Sequence, residues 1–139
     1  MIARYADIAI GRGGAADVHY RSDQTTPLGT FRVARIDPRS RFGIFFEFDY
    51  PTPAAAARAY RDGRITRATL QAILDAFRRG RLPPQDTALG GELGIHGTGD
   101  GSPAIQRDVN WTTGCVALTN QQAFELERWV RVGTTVVVR

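Results

Sequence analysis

Trp111-Thr112-Thr113-Gly114-Cys115-Val116-Ala117-Leu118-Thr119-Asn120 contains the only cysteine of the chain. Its reading decides the fold. Val116 to Leu118 is brief and extended. Thr119, with Gln122 three residues later, forms a capping box that starts a helix. That helix carries Phe124, Leu126, Trp129 and Val130, and Gly133 ends it. Thr134 to Val138 then reads as a final, buried strand. Upstream, Glu92 to His96 is a short strand that delivers His96 into Gly94-Ile95-His96-Gly97-Thr98. A polar loop from Gly97 to Val109 joins the two segments.

One thiol and one histidine with a glycine beside each are the parts of a cysteine acyl-transfer site. A thiol becomes a strong nucleophile when a base or a positive charge assists loss of its proton. Imidazole is the natural base near neutral pH. Gly114 permits close backbone approach, and the Thr112-Thr113-Gly114-Cys115 turn can aim N–H groups at a developing oxyanion. The plainer readings are a small buried cysteine and a core histidine bonded to backbone. His19 has no companion motif and reads as surface or structural. Two separated histidines and one cysteine do not make a metal-ligand spacing. Asp100 and Asp108 read as turn-forming.

The 139 residues imply one domain, residues 1–139, long enough to bury a core without staples. With 42% hydrophobic and 23% charged residues, the composition is that of a soluble globular protein. The net charge of +4 comes from 18 arginines and no lysine. This suits anionic polymers. The arginines are scattered, however. The densest group, Arg78, Arg79 and Arg81, lies at a helix end, where cations favour the dipole. No basic run interleaves with aromatics, which argues against nucleic acid. No stretch is apolar enough to span a membrane. Met1 to Tyr5 lacks the design of a signal peptide; either none is used or a leader has been removed.

Earlier in the chain, Ile2 to Ile10 reads as a strand, Gly11 to Ala16 as a hairpin turn and Val18 to Arg21 as a short strand. Thr25 to Gly29 is a turn. Thr30 to Ile36 alternates, with Phe31, Val33 and Arg35 on one face, and Ile44 to Tyr50 is a further strand. Thr52 before Pro53 caps an alanine-rich helix to about Arg61. Thr66 caps a second, with the stripe Leu70, Ile73, Leu74 and Phe77. Gly80 ends it, and Pro83-Pro84 begins an extended linker. The sum is a β-rich α+β fold with about three helices.

These motifs together resemble the L,D-transpeptidase catalytic domain of the YkuD type. The resembling segments are His96-Gly97-Thr98, Thr112-Thr113-Gly114-Cys115, Thr26-Pro27-Leu28-Gly29-Thr30-Phe31 and Tyr50-Pro51. The resemblance implies a β-sandwich-like fold with the thiol in a cleft under a flap. It implies peptidoglycan stem peptides as substrate, with neither metal nor organic cofactor. Cys115 would form a thioester on the tetrapeptide stem, releasing D-Ala. An amine of a neighbouring stem would then take the acyl group in a 3–3 crosslink. His96 would be base and then acid, the N–H groups near Gly114 and Cys115 would hold the oxyanion, and Thr112, Thr113, Gly97 and Thr98 would shape the site. A carbapenem would acylate Cys115. The location implied is extracytoplasmic, in periplasm or cell wall.

Two positions depart from the common pattern. Thr113 stands where many members have histidine, and Ala117 where many have arginine. The form with Ala117 is similar to a subgroup in which some members hydrolyse the same type of bond as L,D-carboxypeptidases or endopeptidases. A non-catalytic wall-binding module is a further alternative, suggested by the arginine content.

Overall fold

A computed structural model describes residues 4–100 and 109–139. Strands β1 (Ala15–Ala16) and β2 (Thr26–Pro27) pair with each other in parallel. The main sheet has five strands in the order β6-β5-β4-β3-β7. They are β3 (Gly29–Ser40), β4 (Gly43–Phe48), β5 (Gly94–His96), β6 (Val116–Ala117) and β7 (Thr135–Val138). All neighbours are antiparallel except β5 and β6. The helices are α1 (Pro53–Arg61), α2 (Arg67–Arg78) and α3 (Asn120–Leu126). The α+β class expected from the periodicities is the class observed.

Among the described residues, all three helix starts follow the cap residues. Thr52, Thr66 and Thr119 each accept from the backbone N–H three residues on, at Ala55, Thr69 and Gln122. Pro53 occupies the first turn of α1, where its missing N–H costs nothing. The buried face of α1 is Ala55, Ala56 and Ala59. Small side chains there admit the large ones of the core: Phe31, Phe48, Tyr50, Ile73, Leu89 and Leu93. Phe31 and Phe48 stack with centroids 4.9 Å apart. Burying each such ring stabilises the fold by about 1.5–3 kcal/mol.

Several expectations are corrected. Residues 4–10 form no strand; Ala9 makes only an isolated antiparallel bridge with Ala117. The Gly11 to Ala16 segment is not a hairpin turn, because β1 pairs in parallel with β2. Thr26–Pro27, expected within a turn, is therefore a strand, and Val18 to Arg21 is not. The alternation of β3 breaks at a bulge after Val33. Phe31 and Val33 are buried while Arg35 is exposed. β7 is an edge strand with Val137 at 58% exposure, not a buried one. α3 stops at Leu126; Phe124 and Trp129 are exposed and Ala123 is its buried residue. Within the α2 stripe only Ile73 is fully buried. Residues 101–108, which include most of the expected loop and Asp108, lie outside the described residues.

Candidate functional site

The turn that presents Cys115 is held by a side chain. Thr112 Oγ1 donates to the Cys115 carbonyl at 2.6 Å and accepts from the Gly114 N–H at 3.2 Å. Of the two N–H groups expected near an oxyanion, that of Gly114 is thus already engaged. Gly114 has φ +145, and a Cβ there would sit 2.8 Å from both Thr25 O and Leu93 Cδ2. Cys115 is half-buried and free, and its Sγ donates to Glu92 O at 3.4 Å. Burial pushes the thiol pKa up to about 12; a Gly94 backbone hydrogen bond opposes this, and Glu47 and Glu92 add to it. The resting group is the thiol, not the thiolate.

His96 ends β5. The parallel register sets Ile95 opposite Val116 and His96 opposite Ala117. Cys115 immediately precedes β6, the strand beside β5, so it is offset from His96 by two residues along the pair, or about 8 Å between Cα atoms from strand spacing and rise. The His96 Nδ1 is 2.6 Å from the Gly97 carbonyl. A carbonyl only accepts, so Nδ1 carries the hydrogen and Nε2 the lone pair. The ring is 4% exposed and stacks on Phe42 at 4.6 Å, with Trp111 edge-on at 5.8 Å. Burial lowers its pKa, against a smaller opposing effect of the Gly97 carbonyl. Imidazole and thiol are both neutral at rest.

Gly97 follows for a steric reason. A Cβ there would lie 2.5 Å from Asn120 Oδ1 and 3.0 Å from Phe42 O. Asn120, the first residue of α3, clamps the segment beyond His96: its Oδ1 accepts from the Gly99 N–H at 2.9 Å and its Nδ2 donates to Gly99 O at 2.7 Å. Thr98 is buried between them in sequence. Replacing Asn120 by alanine removes both bonds, at a cost on the order of 1–2 kcal/mol. Hydrogen exchange at the Gly99 amide should accelerate roughly tenfold, which follows from about 1.4 kcal/mol of local opening free energy. An unchanged rate would show that Asn120 does not hold this segment.

The sequence reading missed Glu47, Asn120 and the placement of His19. Glu47 is 2% exposed and opposite Gly94; its Oε2 accepts from Arg35 Nε at 2.7 Å. A carboxylate inside Phe45-Phe46-Glu47-Phe48 was a legible signal, since charged residues are almost never fully buried without a partner. Of the two readings of His19, surface or structural, the first is excluded: it is buried, and its backbone is tied to the Tyr50 hydroxyl, which accepts from His19 N–H at 3.0 Å and donates to His19 O at 2.5 Å. Ala117 is fully buried, its N–H and C=O both bonded to Ala9. A long side chain has no room there. Thr113, the other departure, is exposed. Among the described residues no group of three or more His, Cys, Asp or Glu side chains could hold a metal ion, and no helix is long and apolar enough to cross a membrane.

A mixed sheet that sets a glycine-flanked cysteine beside a buried, backbone-anchored histidine defines a class, and residues 1–138 match it: the chain belongs to the L,D-transpeptidase catalytic domain family, YkuD. Its fold is similar to that of the helical cell shape determining protein Pgp2 from Campylobacter jejuni. The TM-score is 0.64 to the K307A mutant, at 20% identity over 98% of this chain and 37% of that one. The structure of Pgp2 without that substitution gives 0.60, again at 20% identity, over 98% and 38% of the two chains. Bd1075 of Bdellovibrio bacteriovorus gives 0.54 at 16% identity, over 99% and 38%. This chain thus spans little more than a third of the length of those proteins. No curated protein matches it by sequence.

Proposed function

We propose that residues 1–139 form a single catalytic domain that transfers acyl groups of peptidoglycan stem peptides through Cys115. The observation that carries this reading is the His96 tautomer: Nδ1–H is committed to Gly97 O, so the basic Nε2 is available on the strand beside the cysteine. As Sγ attacks the carbonyl preceding the terminal D-Ala, the S–H proton passes to His96 Nε2. The Cys115 N–H, with Gly114 able to release its long bond to Thr112, supports the oxyanion. The C–N bond breaks, D-Ala leaves with the proton from His96, and a thioester remains. An amine of a second stem takes the acyl group, which makes the domain an L,D-transpeptidase. If water takes it, the domain is an L,D-carboxypeptidase or endopeptidase. The buried Ala117 favours keeping this second reading, because a charged fork for the substrate carboxylate is absent at that position. The substrate places the protein outside the cytoplasm, in periplasm or cell wall.

Intact-mass measurement after incubation with a carbapenem tests the reading. The native chain should gain the mass of one ring-opened carbapenem, and Cys115→Ala should gain none. An adduct on the alanine variant, or none on the native chain, would sink it. Tetrapeptide muropeptides then separate the outcomes: crosslinked dimers for transfer, tripeptides for hydrolysis.

A further inference from the structure

A second imidazole borders the Cys115 turn. His19 is 4% exposed, and its Nδ1 is 2.6 Å from Thr25 O and 3.2 Å from Asp23 Oδ1. Both partners accept, so Nδ1 bears a hydrogen, and in the neutral ring the lone pair is on Nε2. Nε2 has no hydrogen-bond partner among the described residues. Two glycines leave the ring edge open: a Cβ on Gly90 would lie 3.1 Å from Nε2, and one on Gly114 would lie 3.1 Å from Cε1. The ring forms part of a groove of about 420 Å³, whose walls also include Arg21, Ser22, Asp86, Glu92 and Thr113.

The groove borders the turn that carries the nucleophile. Thr113 is two residues before Cys115, and the Glu92 carbonyl is the acceptor of the Cys115 thiol. Ser22 and Glu92 hold left-handed backbone conformations, φ +72 and +55. Residues other than glycine keep such conformations only where surrounding structure imposes them, often at functional sites. The lining holds two acidic residues, Asp86 and Glu92, and one arginine, Arg21, so the groove is net acidic on a chain of net charge +4. An anion would meet two carboxylates and a lone pair. An alkylammonium group finds acceptors for all of its hydrogens.

We propose that this groove is the acceptor site of the acyl transfer, binding a primary ammonium group with His19 Nε2 as the acceptor of its proton. The proposal rests on Cys115 as the acyl carrier. The ammonium gives one proton to His19 Nε2, and the freed lone pair attacks the thioester carbon. The new N–C bond forms, the C–S bond breaks with its electrons going to sulfur, and the second N–H proton passes to the departing thiolate. His19 returns its proton to water. The products are the amide and the free thiol. Asp23 and Thr25 O orient the ring throughout.

Two experiments decide it. In Cys115→Ala protein, Nα-acetyl-lysine amide should shift the His19 imidazole nitrogens saturably in ¹⁵N NMR, and the Nε-acetylated form should not. The Asp86→Asn/Glu92→Gln pair should weaken that binding at least tenfold. Absence of a His19 shift, or equal binding of the acetylated probe, overturns the proposal. In the acylated native chain, the same amine should divert thioester from water, and His19→Gln should lower the aminolysis-to-hydrolysis ratio at least tenfold. An unchanged ratio also overturns it. Failure of Cys115 to acylate counts against the acyl-carrier reading, while the binding measurement still decides on the groove. That measurement stands if His19→Gln does not fold.

Discussion

His96→Gln should lower the rate of Cys115 acylation by about 10²- to 10⁴-fold, the contribution of a positioned general base. The loss should be this large because the thiol is protonated at rest and cannot attack without giving up its proton. With the thiol pKa pushed up to about 12, the thiol stays almost entirely protonated between pH 7 and 10, so the nucleophile has to be generated by proton transfer to His96. The native rate should therefore stay level across that range. Its acid limb should lie below the ordinary imidazole value near 6.5, since burial lowers the pKa of His96. Stopped-flow acylation by a carbapenem across pH measures both limbs. A rate that climbs with a midpoint near 8.5 would mean a free thiolate is the nucleophile, and His96 would lose its role. The same shift has a stability consequence. The unfolded imidazole binds a proton near pH 6.5 and the folded one only at lower pH, so this contribution is present above 6.5 and is lost as pH falls below it.

Gly114→Ala should destabilise the fold by about 3 kcal/mol or more. Holding a side-chain-bearing residue at φ +145 costs about 1–3 kcal/mol. The added methyl meets Thr25 O, Leu93 and the His19 ring, and such overpacking costs about 1–3 kcal/mol more. Two of those neighbours, Thr25 and His19, come from the segment that ends in β2, so the clash would part that segment from the Cys115 turn. Calorimetry should show the midpoint fall by roughly 10 °C, scaling from typical unfolding entropies for a chain of this size. Gly63→Ala is a suitable control for backbone strain alone: φ is +70, and nothing lies within 4 Å of a Cβ there. Equal losses at the two positions would mean that the contacts around Gly114 contribute nothing.

The helices were legible because their signals are local. Threonine caps and a stripe at helical spacing are properties of a few consecutive residues, and Thr52, Thr66 and Thr119 act as read. His96 and Cys115 stood out as candidates for a similar reason: each carries its glycine beside it in the chain. The end of α3 was not, because Phe124 and Trp129 continue a helical pattern that the tertiary structure leaves exposed. The strand errors have one origin. Parallel pairing of β1 with β2 and the edge position of β7 depend on which segment lies alongside, and period-two patterns carry no such information. Residues 4–10 alternate like a strand, yet only Ala9 finds a bridge, to Ala117.

By itself, then, the amino-acid sequence determined the α+β class and the helix starts, and it singled out His96 and Cys115 as the pair to which the proposed chemistry is assigned. Only the tertiary structure decided their protonation, because that depends on burial and on neighbours remote in the chain: Phe42 and Trp111 around His96, Glu47 and Glu92 around Cys115. It also decided the place of His19. The sequence holds that residue 95 positions before Gly114, and only the folding of its segment onto the core through Tyr50 sets the two side by side.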